Sequence, residues 1–114
     1  MNHWHTICSV NDLVPNTGVC ALVADQQVAI FNCTRTGLLY AISNRDPISN
    51  ANILSRGIIG SVDNKPYVAS PLYKQHFNLE TGECLEDSSY QVNVYAVREH
   101  HGQVQVRVAN AVAA

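Results

Sequence analysis

No run of residues in this chain approaches the ~20 consecutive apolar positions that a membrane-spanning helix requires. The opening residues Met1-Asn2-His3-Trp4-His5 lack the basic start and apolar stretch of a signal peptide. A cytoplasmic location without membrane attachment is therefore expected. Charge is scarce, at 14% of residues, and the formal net charge is −2. With a pI near 6.2, nothing in that balance draws the chain toward nucleic acid or an anionic surface. Phosphate cradles are missing as well: there is no Gly-x-x-x-x-Gly-Lys and no Gly-x-Gly-x-x-Gly. No Ser, Cys or Thr stands in a recognisable partnership with a base, so no catalytic residue is expected.

Cysteine is present but in no arrangement that signals chemistry. Cys8, Cys20, Cys33 and Cys84 stand 12, 13 and 51 residues apart, which fits neither a metal knuckle nor a Cys-x-x-Cys redox pair. In a reducing compartment each is expected to act as a small buried hydrophobe. No metal site is expected, although His3 and His5 flank Trp4 on the opposite face of a strand and would bind a metal adventitiously. His100 and His101 are expected at a solvated hairpin tip.

What the chain does have is size and pattern. Its 114 residues, 46% of them hydrophobic, make one domain able to bury roughly two-thirds of its unfolded surface without a metal or disulfide. Short β-like runs closed by turn residues dominate, the signature of an all-β sandwich or barrel. Trp4–Val10 alternates and stops at Asn11-Asp12, where Asn11 to Val14 is expected to form one capped turn ended by Pro15. Gly18–Val23 and Gln27–Phe31 flank a turn at Asp25-Gln26. Leu38–Ile42 follows Thr36-Gly37, and a second short turn is expected at Asn52–Leu54. Ile58–Val62 and Pro66–Ala69 flank a three-residue connection, Asp63-Asn64-Lys65. Phe77–Leu79 runs into Glu80-Thr81-Gly82-Glu83, with Gly82 supplying positive φ. Val92–Val97 and Val104–Val108 alternate around His100-His101-Gly102. Residues 109–114 lack periodicity and are expected to be a disordered tail.

Several of these segments carry a family resemblance. Ala41-Ile42-Ser43-Asn44-Arg45 leads into Asp46-Pro47-Ile48, and Ser55-Arg56-Gly57-Ile58-Ile59 follows it. Val68-Ala69-Ser70-Pro71-Leu72-Tyr73 forms a second loop, closed by Phe77-Asn78-Leu79-Glu80-Thr81-Gly82-Glu83-Cys84. Residues 41 to 84 thus resemble the cluster-binding subdomain of Rieske proteins, in which Cys-x-His and Cys-x-x-His on two loops hold a [2Fe–2S] cluster. Placed on this chain, the four ligand positions fall at Asp46, Ile48, Ser70 and Tyr73, and none is Cys or His. With Trp4, the Leu13–Leu22 stretch and Gln27–Phe31, the resemblance covers about residues 1–108. It narrows to the small subunits of bacterial cytoplasmic NADH-dependent nitrite reductases, whose members generally lack the cluster ligands.

The resemblance implies an all-β, Rieske-like antiparallel sandwich or barrel over residues 1–108, with a smaller loop-bearing subdomain inserted at about 41–84. It implies a cofactor-free accessory subunit supporting reduction of nitrite to ammonium. The partner would be the large subunit, which carries FAD, siroheme and an iron–sulfur cluster. Cluster iron prefers thiolate and imidazole, so Ile48 and Tyr73 are expected to fill the site with apolar atoms while Asp46 and Ser70 bond the loop backbone. The alternative is a [2Fe–2S] electron-transfer protein, ferredoxin-like, with unexpected ligands. Arg45, Arg56, Tyr73, Lys74 and His76, on loops 44–56 and 70–76, are the expected docking residues. His76 itself is read as a solvent-exposed strand residue. An acidic stretch (Glu80, Glu83, Glu86, Asp87) is expected apart from the basic loop-tip residues Arg45, Arg56, Lys65 and Lys74, giving a surface with two signs that would steer a partner.

Overall fold

The computed structural model describes residues 3–72 and 74–108; Tyr73 and the 109–114 tail lie outside them. Among the described residues nine strands form two antiparallel sheets. β1 (Trp4–Ser9), β2 (Gly18–Val23), β3 (Gln26–Cys33), β4 (Leu38–Ser43), β8 (Val94–His100) and β9 (Gln103–Arg107) make a six-stranded sheet in the order β1-β9-β8-β4-β3-β2. It is a nearly closed, barrel-like sheet. β5 (Ile58–Val62), β6 (Lys65–Ala69) and β7 (His76–Asn78) make a three-stranded sheet that falls between β4 and β8 in the chain. Among the described residues no helix is long and apolar enough to cross a membrane.

Three hairpins share one turn chemistry. The loop pairs Ala24-Asp25, Asp63-Asn64 and His101-Gly102 all have positive φ at both positions, the two-residue geometry whose twist matches that of the flanking strands. All three differ from the expected boundaries by a residue; His100 pairs with Gln103, so the β8–β9 turn is His101-Gly102. Val23 pairs with Gln26, so the β2–β3 turn is Ala24-Asp25; Val62 pairs with Lys65, so the β5–β6 turn is Asp63-Asn64. The alternating apolar residues set the register, and the turn takes whatever two positions remain. The first 3-10 turn is Val10–Asp12, with the Ser9 hydroxyl accepting from Asn11 N at 3.2 Å; the cap is Ser9, not Asn11. The second is Leu54–Arg56, two residues beyond the expected place.

β3 is the wall of the molecule. Val28, Ala29, Ile30 and Phe31 are all fully buried because each face of the strand meets a different core. Ala29, Phe31 and Cys33 pack with Tyr40, Ile42, Leu54, Val68, Phe77 and Leu79, between the two sheets. Val28 and Ile30 pack with Leu13, Val23, Ala41, Val104 and Val106, inside the curled six-stranded sheet. Fully burying side chains of this size stabilises by about 1.5–3 kcal/mol each.

The cysteines divide. Cys33 and Cys84 are buried and Cys8 half-buried, but Cys20 is exposed. β2 is the last strand of its sheet, and its alternation leaves Cys20 and Leu22 facing outward. Burial, the larger cause, and the neighbouring Asp12 charge raise the Cys8 thiol above its ordinary value. Burial likewise raises Cys84.

Candidate functional site

Two loops meet beyond the ends of the small sheet. The first, 44–53, follows β4; the second, 70–75, joins β6 to β7. Asn44 is buried and holds the first loop to both sheets' surroundings. Its Oδ1 accepts from Ser55 N at 2.7 Å, and its Nδ2 donates to Gln27 Oε1 at 3.2 Å. Asp46 N donates to Ala51 O at 2.8 Å, and Asn50 N to Asp46 O at 2.7 Å, closing the loop on itself. The second loop is closed by Ser70 N donating to Gln75 O at 2.8 Å and by Lys74 N donating to Ser70 O at 3.0 Å. Gly57 lets the loops approach: a Cβ there would stand 2.3 Å from Ala69 O.

Asp46 and Ser70 bond each other. The Ser70 hydroxyl donates to Asp46 Oδ2 at 2.5 Å, and both residues are buried. Asp46 Oδ1 accepts from Ile48 N at 2.8 Å and from Ser49 N at 3.4 Å. Ser70 Oγ also accepts from Leu72 N at 3.4 Å. Ile48 packs, partly buried, against the core that contains Leu54, Val68 and Phe77. The position of Tyr73 lies outside the described residues. The Asp46 and Ser70 oxygens are thus engaged with each other and with backbone donors. The donors are also of the wrong kind for iron–sulfur chemistry, which takes thiolate and imidazole. Among the described residues no group of three or more His, Cys, Asp or Glu is placed to hold a metal ion. The residues present do not fit a [2Fe–2S] cluster.

The cationic residues stay near the loop ends. Arg45 reaches Asn50 Oδ1 at 3.2 Å and lines a groove with Pro47 and Asn93. Arg56 and Lys74 line a second groove of about 350 Å³ together with Ile58, Pro71 and His76. Neither Arg56 nor Lys74 has an acidic partner among the described residues. His76 is not the freely solvated residue expected from the sequence. Its Nδ1 lies 2.5 Å from Glu86 Oε2, its backbone N–H donates to Glu86 Oε1 at 2.8 Å, and its ring meets Tyr67 edge-on at 4.5 Å between centroids. Burial pushes the Glu86 carboxyl up, but these bonds outweigh it and hold the group below its ordinary range. The acidic stretch is thus not wholly apart from the basic residues, because Leu85 N bonds His76 O at 2.8 Å and brings Glu86 to the loop end. Glu86 and Tyr67 are the participants that sequence reasoning missed. Only a strand-like pairing of 84–86 with β7 would have signalled Glu86.

Comparison with known proteins bears on this frame. The family described as the Rieske-like [2Fe-2S] domain matches residues 3–107. The chain is 46% identical over 107 residues to the nitrite reductase (NADH) small subunit of Escherichia coli (strain K12), covering 94% of this chain and 99% of that one. It is 36% identical over 104 residues, 90% of its length, to part of the nitrite reductase [NAD(P)H] large subunit of Klebsiella oxytoca, in which the match occupies 11% of the chain. The crystal structure of a putative NADH-dependent nitrite reductase small subunit from Mycobacterium tuberculosis superposes with a TM-score of 0.92 at 38% identity, covering 97% of this chain and 99% of that one.

Proposed function

Because the chain belongs to the Rieske-like domain family, and within it to the small subunits of NADH-dependent nitrite reductase, we propose that it serves that oxidoreductase as a cofactor-free docking subunit. Its partner is the large subunit. The reaction supported is six-electron reduction of nitrite to ammonium in the cytoplasm, with FAD, siroheme and the iron–sulfur cluster carried by the large subunit. This chain supplies no catalytic residue. It supplies a shaped surface, made by the unit inserted at about residues 41–84.

The observation that carries the reading is the direct bond between Asp46 and Ser70. Where cluster ligands would bridge two loops through iron, this chain closes the loops with a hydrogen bond between the same two positions. Burial raises the worth of that bond, since a buried carboxyl or hydroxyl without a partner costs about 1–3 kcal/mol. The loops keep their shape and lose the redox centre. Arg45, Arg56, Lys74 and His76 then form a positively biased end for contact with the large subunit, where complementary charge raises the rate of encounter.

The test has two parts. The chain purified anaerobically is expected to be colourless, with iron and acid-labile sulfide far below two of each per chain, and to reduce no nitrite alone. Two irons and two sulfides per chain would overturn the cofactor-free reading in favour of an electron-transfer protein. Added to its large subunit, the chain is expected to form a complex. Replacement of Arg45, Arg56 and Lys74 by Glu is expected to weaken that complex and to lower holoenzyme turnover at limiting subunit concentration; unchanged assembly and turnover would refute the docking role of this end.

A further inference from the structure

The three-stranded sheet is covered on one side only. Val68 and Phe77 are fully buried and Ile59 packs beside them, so the inward face belongs to the core. Register places the alternate residues on the outward face in cross-strand rows: Ile58, Ala69 and His76 in one, Gly60, Tyr67 and the buried Asn78 in the next, Val62 and Lys65 in a third. Leu85 joins them beyond β7 through its backbone bond to His76 O. The segment after β7 covers the Asn78 end of this face, with Glu80 N and Thr81 N donating to Asn78 Oδ1, and among the described residues the β5 side is left bare. Ile58 is 77% exposed, the most of any large apolar side chain described, and Val62 and Leu85 are exposed as well.

Two grooves cross the face and share His76. One is the 350 Å³ groove between Arg56, Ile58 and Lys74. The other, about 470 Å³, lies between Val62, Tyr67, Leu85 and Glu86. His76 is held at the junction by Glu86 on one side and the Tyr67 ring on the other, so the divide between the grooves is built and not a chance rotamer. The basic groove has no acidic side chain in its lining. Its two permanent cations stand beside exposed apolar atoms, a combination that selects a carboxylate flanked by bulky apolar groups.

We infer that the outward face of the β5-β6-β7 sheet receives a segment of the large subunit, with a carboxylate of that segment between Arg56 and Lys74 and its apolar side chains on Ile58, Val62, Tyr67 and Leu85. This rests on the subunit reading above and adds to the loop ends an apolar anchor. Three considerations favour that occupant. Arg56, Lys74 and His76 already belong to the loop end, so the face continues the surface assigned to docking. Unpaired cations call for an acidic partner. Third, the nitrite reductase large subunit of Klebsiella oxytoca holds a part matching this chain within its own length, which places such a domain beside that subunit. Charges at a rim steer association, but residence time comes from buried apolar anchors. A face of three strands and five residues spans roughly 15 by 17 Å, too little for the ~800 Å² per partner of a stable complex, so face and loop end act together.

The experiment measures affinity of this chain for its large subunit by sedimentation or biosensor, at low and high salt. The double variant Ile58→Asp/Leu85→Asp, both exposed positions, is expected to melt where the parent melts and to bind at least about 10-fold more weakly, as loss of an anchor does. Arg56→Glu/Lys74→Glu is expected to bind weakly and to lose the salt dependence of the parent. Leu22→Asp, an exposed apolar residue on β2 away from this face, is the control and is expected to bind within about 2-fold of the parent. Ile58→Asp/Leu85→Asp binding within about 2-fold of the parent, with its fold intact, overturns the apolar anchor while leaving the subunit reading standing. A parent chain that binds no large subunit overturns both.

Discussion

The two sheets of this molecule treat their faces differently. The central strands of the six-stranded sheet are walled on both sides: Phe31 and Ile42 face the core between the sheets, and Ile30 and Ala41 face the core inside the curled sheet. The three-stranded sheet is walled on one side by the same Phe31, Ile42 and Leu54 and bare on the other. The central strands of the larger sheet thus have both faces covered within the chain, whereas the smaller sheet completes the inter-sheet core and leaves much of its other face exposed. In between, the loops that would grip a cluster grip each other.

The sharpest way to break that contrast is to remove the shared wall. Phe31→Ala is expected to cost about 3–5 kcal/mol, read as a lower urea midpoint, and to loosen both sheets together, because β3 serves both cores. A loss confined to the small sheet would mean that the two cores are independent. Ile58→Asp, on the bare face, is expected to change stability by less than about 0.5 kcal/mol.

Asp46→Ala comes next, at about 2–3 kcal/mol, since it strands the Ser70 hydroxyl and the Ile48 N–H in a buried place. Ser70→Ala is expected to cost less, about 1–2 kcal/mol, because Asp46 keeps its backbone donors. A double-mutant cycle in denaturant is expected to give less than the sum, with a coupling of about 0.5–3 kcal/mol; additive losses would show that the two loops are not held through this pair.

A smaller effect separates the sheets by pH. The Glu86 carboxyl is held below its ordinary range by the His76 backbone N–H and ring, against an opposing effect of burial. A depressed carboxyl stabilises the fold above its unfolded value and loses that contribution as pH falls through the folded one. Amide protection of β7 is therefore expected to fall first as pH is lowered below the usual glutamate range of about 4.3, while β3 and β4 stay protected. Glu86→Gln is expected to abolish the difference. Equal loss in all three strands would place the acid sensitivity elsewhere.

Much of the scaffold was legible in the sequence because it is local. The apolar run Val28–Phe31, the alternation in Val92–Val97 and Val104–Val108, and the residues that tolerate positive φ between strands mark strands and hairpins without reference to anything distant. The boundary slipped by a residue, from Asp25-Gln26 to Ala24-Asp25, because Gln26 is drawn into the ladder opposite Val23 and Ala24 takes its place in the turn. The site was legible as a pair of loops with Asp46 and Ser70 in them only through the resemblance to the Rieske subdomain, and short polar side chains there were expected to bond the loop backbone. That the two bond each other depends on positions 24 apart in the chain returning to the same point, and no periodicity encodes that. The same holds for His76, which by itself reads as an exposed strand residue and is pinned by a carboxylate ten positions later. Cys20 was misread as buried because composition ranks residue types and does not know that β2 is an edge.

Hydrogen exchange of this chain, alone and in complex with its large subunit, tests the division between scaffold and contact face most directly. The account predicts that binding slows exchange in β5, in loops 44–56 and 70–76 and at Leu85-Glu86, and leaves β1, β2 and β9 as they were. Slowing confined to the six-stranded sheet, with the small sheet unchanged, would contradict it.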